Sequence, residues 1–209
     1  MRKVFTLFPK VIYKDEIFLT IEEETTLQTI ANVEEYKGAG VQSINQNEQQ
    51  KHSLISTNNK ILEDNQLAFL KTKIEEHITN FLNKDLEYDP NFKITTSWFT
   101  KTEKDYSSNY HYHSNSFYSG VFYFGNHFSG ITFKNREYKH WDIPCQSNVY
   151  NGDIATIMPE KGTLLLFPAD MQHKIDISQS SEPRTSIAFN VIPAGRIGNH
   201  DSELNVEFR

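Results

Sequence analysis

After residue 92 the sequence becomes a series of short apolar segments, separated by turns rich in glycine, proline, asparagine and serine. Eight segments have the alternation and composition of β-strands: 93–100, 110–114, 118–124, 130–134, 155–158, 163–167, 173–177 and 185–192. Eight short strands in roughly 100 residues favour an antiparallel sandwich or barrel. The sequence therefore predicts a mainly β fold of the jelly-roll kind.

Two helices are predicted before the strands. Residues 24–36 have a moderate amphipathic pattern, and residues 65–82 have a stronger one, with apolar side chains at three- and four-residue spacing. Asp64 or Asn65 can cap the second helix. We expect both helices to pack against an outer face of the larger sheet. The polar stretch 42–60 between them is predicted to be a long loop that closes over a site.

Composition limits the class of protein. A chain of 209 residues suits one domain, here a helical part (about 1–91), a β core (92–192) and a polar tail (193–209). No apolar run approaches the roughly 18 residues of a membrane span. One cysteine, Cys145, and no export signal favour the cytoplasm. The net charge of −6 argues against broad binding to a nucleic-acid backbone, although a local basic groove stays open.

Three histidines form a candidate metal site. His111 and His113 lie two residues apart on one predicted strand, and His173 follows the predicted strand at 163–167. Alternate residues of a strand point to the same face, so His111 and His113 project together, and Asn115 would join them if the strand continued. Three imidazoles can hold iron, zinc, copper or nickel and leave other positions of the metal open. Two histidines at this spacing also occur by chance. The prediction of a metal site therefore depends on the position of the pair in the chain, before His173 and an arginine.

That arginine, Arg184, stands immediately before the predicted strand at 185–192 and has the same parity as Ser186. A guanidinium group beside a hydroxyl group can bind one terminal carboxylate of a dicarboxylic acid. The alternative is a surface arginine paired with Glu182 or Asp176, which would have little consequence.

Several motifs occur in a characteristic order between about residues 92 and 192. They are Ser97-Trp98, His111-Tyr112-His113-Ser114-Asn115-Ser116, Ser119-Gly120-Val121-Phe122-Tyr123, Gly162-Thr163-Leu164-Leu165-Leu166-Phe167-Pro168, His173, and Arg184-Thr185-Ser186-Ile187-Ala188-Phe189-Asn190. Together they resemble the iron(II)- and 2-oxoglutarate-dependent dioxygenases, and in particular a branch of oxygenases found in bacteria and phages.

The resemblance implies a double-stranded β-helix, a cupin-like variant of the jelly roll, with iron(II) held near its mouth. It also implies hydroxylation of a primary substrate, while the cosubstrate 2-oxoglutarate is converted to succinate and carbon dioxide. The implied metal ligands are His111, His113 and His173, and the residues implied to bind the far carboxylate of 2-oxoglutarate are Arg184, Ser186 and Tyr123. Trp98, Tyr106, Tyr110 and Trp141 are expected to line the pocket.

The ligand set departs from the usual pattern of that family. Most members use His-x-Asp or His-x-Glu for the first two ligands, but no acid stands two residues after His111 or His113. Either His113 replaces the carboxylate, or the pair is His113 and Asn115. Imidazole is a better ligand than a neutral amide for divalent iron, which favours His111 with His113. Compared with two histidines and one carboxylate, three neutral ligands would make the net charge of the metal site more positive by one elementary charge.

Two other functions stay open at this level. One is a three-histidine, cupin-like dioxygenase whose substrate binds iron directly, without 2-oxoglutarate. The other is a non-catalytic jelly-roll binding module whose histidines satisfy one another. The sequence does not reveal the primary substrate, and pairing of two copies through the helical side is also left open.

Overall fold

The computed structural model describes residues 2–39, 52–127, 129–135, 143–148 and 150–207. Two α-helices lie in this part of the chain, α1 (Ile21–Val33) and α2 (Ala68–Ile78). Helix α2 follows two 3-10 turns and continues as a π-helical segment; these are Ile61–Glu63, Asn65–Leu67 and Thr79–Asp85. The strands are β1 (Tyr13–Glu16), β2 (Tyr36–Gly38), β3 (Leu54–Ser56), β4 (Asn91–Thr102), β5 (Tyr118–Tyr123), β6 (Ile131–Lys134), β7 (Ile154–Ile157), β8 (Thr163–Pro168), β9 (Gln172–Ile175), β10 (Arg184–Ile197) and β11 (Leu204–Val206).

These strands form two antiparallel sheets. The large sheet has the order β1-β8-β5-β10-β4-β3-β2, with β11 paired to the end of β10, and the small sheet has the order β7-β6-β9. From β4 onward the chain passes back and forth between them: β4, β5, β8 and β10 lie in the large sheet, and β6, β7 and β9 in the small one. This connectivity is that of the predicted double-stranded β-helix, and the prediction is confirmed.

The two faces of the large sheet have different chemistry. One face packs against the helices through side chains such as Phe99, Phe122 and Phe189, all fully buried against Leu70 and Ile74 of α2. Alternate residues of the same strands point between the two sheets. The expected packing of the helices on one sheet is confirmed, and the opposite face is left to form a site. Over the described residues, no helix has the length and apolar character needed to cross a membrane.

Local signals explain where the helices begin. Helix α1 begins at Ile21, three residues before the predicted start at residue 24, because Thr20 accepts a hydrogen bond from the Glu23 backbone N–H and the Glu23 carboxylate accepts one from the Thr20 N–H. Before α2, the Asp64 side chain accepts a hydrogen bond from the Gln66 backbone N–H, as one of the two predicted caps.

Two expectations from the sequence are wrong in part. Residues 110–114 form no continuous strand, because only His111 pairs with the small sheet, through a single bridge to His173. The predicted loop 42–60 contains β3, and its residues 42–51 lie outside the described part. The polar tail is partly ordered, since β10 runs to Ile197 and pairs with β11.

Gly120 is expected to be sensitive to substitution because it makes room for the helix-side core. A Cβ atom at this position would overlap the ring of Phe189 and come within 2.8 Å of Leu166 Cδ2. We expect Gly120→Ala to destabilise the protein by about 1–3 kcal/mol through overpacking, measured by urea unfolding. Gly38→Ala is the matched control, since nothing lies within 4 Å of its added Cβ. Equal stability of the two variants would contradict this packing.

Candidate active site

The three histidines singled out in the sequence come together between the two sheets. Their possible ligand atoms all lie within 4.8 Å of one another. The ring centroids are 4.3 Å apart for His111 and His173, 5.2 Å for His113 and His173, and 5.4 Å for His111 and His113. Reciprocal 2.9 Å backbone hydrogen bonds join His111 to His173, and the His113 N–H donates to the Ala169 carbonyl. The backbone therefore fixes the cluster.

Each histidine uses Nδ1 for a hydrogen bond and leaves Nε2 available. The Nδ1 atoms of His111 and His173 donate to the carbonyls of Asn109 and Met171, at 2.8 and 2.9 Å. His113 Nδ1 donates to a side-chain oxygen, Asn190 Oδ1, at 2.6 Å. A ring whose Nδ1 carries the proton presents a lone pair at Nε2, which is the atom that binds a metal.

Two of the rings are held neutral by their surroundings. Burial lowers the pKa of His113 to about 4 and that of His173 to about 3, and the neighbouring His111 lowers both further. The hydrogen bonds that His113 donates to Asn190 Oδ1 and His173 donates to the Met171 carbonyl only partly oppose these shifts. Both rings are therefore uncharged near neutral pH, which is the state a metal requires.

The geometry gives Asn115 a different position from the three histidines. Ser114 and Asn115 form a turn, and Asn115 is exposed with a left-handed backbone (φ 56°). The continued strand that would have aligned Asn115 with His113 is not formed.

Arg184 is buried, so its interpretation as a surface ion pair is wrong. Its side chain is 1% exposed, while Glu182 pairs with His127 and Asp176 with Lys174. The Nε and Nη1 atoms of Arg184 are buried and have no hydrogen-bond partner among the described residues. A buried guanidinium group with N–H donors still open is suited to receive an anion.

Polar side chains surround this guanidinium. Its Cζ lies 4.7 Å from the ring centroid of Tyr123, whose pKa is raised by complete burial and lowered to a smaller extent by Arg184. Ser186 Oγ lies 2.6 Å from Thr100 Oγ1 on the neighbouring strand. One of these two hydroxyls donates to the other, which leaves one hydroxyl proton for a further acceptor. Sequence reasoning missed Thr100, because only the register of β4 on β10 places it beside Ser186.

One cavity joins the two groups. It is lined by the three histidines at one part and by Arg184, Ser186, Tyr123 and Thr100 at another. Trp98 also lines the cavity, as expected. Its ring stacks on that of His113 at a centroid distance of 5.7 Å. The cavity is also lined by Ala39, Ser53 and Ile55, which lie in or near the segment 42–60 that was predicted to cover the site.

The other aromatic expectations are not confirmed. The ring of Tyr110 instead contacts Lys134 and Lys174, with each Nζ less than 6 Å from the ring centroid. Neither Tyr110 nor Tyr106 lines the cavity. Trp141 lies outside the described residues.

Residues 96–190, which include the three histidines and Arg184, match a protein-family model described as "Putative 2OG-Fe(II) oxygenase". This stretch, a little under half of the chain, matches the 2OG-Fe(II) oxygenase superfamily. Iron(II) and 2-oxoglutarate are the cofactors of that superfamily, and the resemblance identified from the sequence motifs is confirmed. A comparison of this oxygenase with curated proteins found no match.

Solved structures of oxygenases share the fold at low sequence identity. An oxidoreductase of the 2OG-Fe(II) oxygenase family from Burkholderia pseudomallei is 10% identical, with a TM-score of 0.60 over 86% of this chain and 83% of that chain. A prolyl-4-hydroxylase from Pseudomonas putida is 14% identical, with a TM-score of 0.55 over 87% and 92%. HygX from Streptomyces hygroscopicus, solved with nickel, 2-oxoglutarate and hygromycin B, is 9% identical, with a TM-score of 0.57 over 88% and 83%.

Proposed function

We propose that this oxygenase is an iron(II)- and 2-oxoglutarate-dependent hydroxylase. The metal ligands are His111, His113 and His173, and the residues that bind the far carboxylate of 2-oxoglutarate are Arg184, Ser186 and Tyr123. The observation that carries the proposal is the single cavity that contains both the histidine cluster and the buried guanidinium.

The histidine cluster fits a divalent metal. The hydrogen bonds of the cluster use Nδ1 and leave its three Nε2 atoms for a metal. The two most buried rings are already neutral, so a metal does not have to displace a proton from them. Three ligands leave the remaining coordination positions for a cosubstrate and oxygen. When bound, iron(II) and 2-oxoglutarate supply the oxygen chemistry, and the protein binds and orients the reactants.

The polar end of the cavity fits a carboxylate. The open Nε and Nη1 atoms of Arg184 are N–H donors available to a carboxylate group, and the spare proton of the Thr100–Ser186 pair provides a further donor. Because these groups are buried, water does not compete strongly with the carboxylate. A dicarboxylate such as 2-oxoglutarate can offer one end to Arg184 and the other to the metal.

Charge favours the same cosubstrate. His111, His113 and His173 would bind a metal as neutral imidazoles, so a divalent metal would keep its full charge in the site. An anionic chelator then binds more favourably than it would beside a ligand carboxylate. Trp98, Val121 and Ala188 make the adjoining cavity wall largely apolar.

The experiment that tests this function measures succinate formed by the full chain from 2-oxoglutarate, iron(II) and oxygen. Turnover in the absence of a primary substrate is expected to be slow but oxygen-dependent. A protein that binds iron tightly but neither binds nor consumes 2-oxoglutarate would contradict the proposal. That result would favour the three-histidine dioxygenase whose substrate binds iron directly, which the missing carboxylate ligand makes the second candidate.

We propose in addition that residues 1–209 act as one oxygenase domain in the cytoplasm of a bacterium or a phage-infected cell. In support, residues of α1 and α2 share one core cluster with the β core. The primary substrate is unassigned. The formation of a homodimer through the helical side can be tested directly by sedimentation.

A further inference from the structure

Asn190 lies directly behind one of the proposed metal ligands. It is on β10, in register with Thr96 of β4 on one side and Ser119 of β5 on the other, so the three side chains form a row across the large sheet. The pairing of β10 with β4 shifts immediately after Asn190, between Asn190 and Val191. Such bulges change the direction of side chains beside functional sites.

All of the amide's polar atoms are engaged. Asn190 Nδ2 donates to Thr96 Oγ1 at 3.0 Å. Asn190 Oδ1 accepts two hydrogen bonds, from Ser119 Oγ at 2.9 Å and from His113 Nδ1 at 2.6 Å. Ser119 is fully buried, so its hydroxyl has a fixed environment. The row therefore holds the amide in place beside His113, with its oxygen on the His113 Nδ1.

This partner differs in kind from those of the other two histidines. His111 and His173 donate to backbone carbonyls, which can only accept, so their protons must lie on Nδ1. An amide can present either oxygen or nitrogen. If the amide of Asn190 were reversed, its NH₂ group would face His113, the proton of that ring would move to Nε2, and the lone pair needed by a metal would be lost.

We propose that Asn190 is a positioning residue that fixes His113 as the Nδ1–H tautomer, with Thr96 and Ser119 holding the amide beside the ring. Nε2 of His113 thereby keeps a lone pair directed to the histidine cluster before any metal arrives. The inference rests on the proposed ligand set, and it concerns a residue that touches neither metal nor cosubstrate.

The test uses the metal-free full chain and long-range ¹H–¹⁵N correlation spectra of its histidine rings at about pH 8, where neutral imidazole dominates. We expect the wild-type His113 ring to be the Nδ1–H tautomer. In Asn190→Leu, which lacks the acceptor, we expect the Nε2–H tautomer to be populated and zinc affinity to fall roughly 10- to 100-fold, the usual effect of losing a ligand's supporting partner. Zinc affinity is measured by competition with a chelator.

Asn190→Asp is the matched variant, because it keeps an oxygen acceptor for His113 and Ser119. It should retain the Nδ1–H tautomer and bind zinc within a few-fold of wild type. An Nε2–H ring in the wild type, an unaltered tautomer in Asn190→Leu, or an equal loss of zinc affinity in both variants would each overturn the inference.

If Asn190→Leu does not fold, Thr96→Val replaces it. That variant leaves Asn190 in place but removes the acceptor of its Nδ2, so a mixture of His113 tautomers is expected, and a pure Nδ1–H ring would contradict the proposed row. Failure of the proposed function is recognised separately. A wild-type protein with the expected tautomer but no turnover of 2-oxoglutarate would contradict the hydroxylase and leave the positioning role intact.

Discussion

His173→Ala is expected to abolish turnover of 2-oxoglutarate and to weaken iron binding by more than 100-fold. Loss of a partner that supports a ligand already costs about 10- to 100-fold in metal affinity, so loss of a ligand should cost more. His173 is 4% exposed and contacts the other two histidine rings, with centroids 4.3 and 5.2 Å away. Iron content after anaerobic loading and succinate formation are the two measurements.

His127→Ala is the control for this variant. His127 is a histidine outside the cluster that pairs with the carboxylate of Glu182. Its side chain is 41% exposed and it does not line the cavity. It should keep wild-type iron content and turnover. The melting temperature of the metal-free His173→Ala protein separates loss of a ligand from loss of the fold. Unaltered iron binding in a folded His173→Ala protein would show that the histidine cluster is not the metal site.

Replacement of Arg184 has the second-largest expected effect. Arg184→Met removes two charge-assisted hydrogen bonds to the bound carboxylate, each contributing about 1.5–3 kcal/mol. A loss of about 3 kcal/mol corresponds to a 2-oxoglutarate dissociation constant raised roughly 100-fold or more. Iron affinity in the absence of 2-oxoglutarate should stay unchanged. Arg184→Lys retains a charge without the planar fork and should give an intermediate dissociation constant.

Stability provides an independent measurement for Arg184. The guanidinium group is buried with Nε and Nη1 lacking partners in the described residues, which costs free energy in the unliganded protein. We therefore expect metal-free Arg184→Met to melt at the same temperature as wild type or higher, and to lose the rise that 2-oxoglutarate produces in the metal-loaded wild type. Wild-type affinity for 2-oxoglutarate in Arg184→Met would exclude the proposed carboxylate site.

Much of the fold could be predicted because its signals are local. The alternating segments after residue 92 correspond to seven strands, β4 to β10, and the spacing of Leu70, Ile74 and Ile78 matches the buried face of α2. The strand predicted at 110–114 failed because its hydrogen bonds to the small sheet stop at His111, before a turn at Ser114. Strands β1, β2, β3 and β11 were not predicted because nearly all of their residues are exposed or half-buried, which leaves no apolar alternation in the sequence.

The site was predictable where function depends on residue type and order. Histidines and an arginine carry their chemistry in the side chain, so His111, His113, His173 and Arg184 could be singled out without coordinates. Thr100 and Asn190 act through neighbours on other strands, and their partners follow only from the register between β4, β5 and β10. Tyr110 shows the opposite case: its ring contacts Lys134 and Lys174 instead of lining the cavity.

The central claim is that the three histidines and Arg184 bind one metal and one 2-oxoglutarate molecule in a shared cavity. The most direct measurement is an anaerobic titration of the iron(II)-loaded full chain with 2-oxoglutarate, followed by the visible absorption of the metal complex. The account predicts a new absorption that saturates at one equivalent, is absent in His173→Ala and needs a far higher concentration in Arg184→Met. An iron-loaded wild-type protein whose spectrum does not respond to 2-oxoglutarate would contradict it.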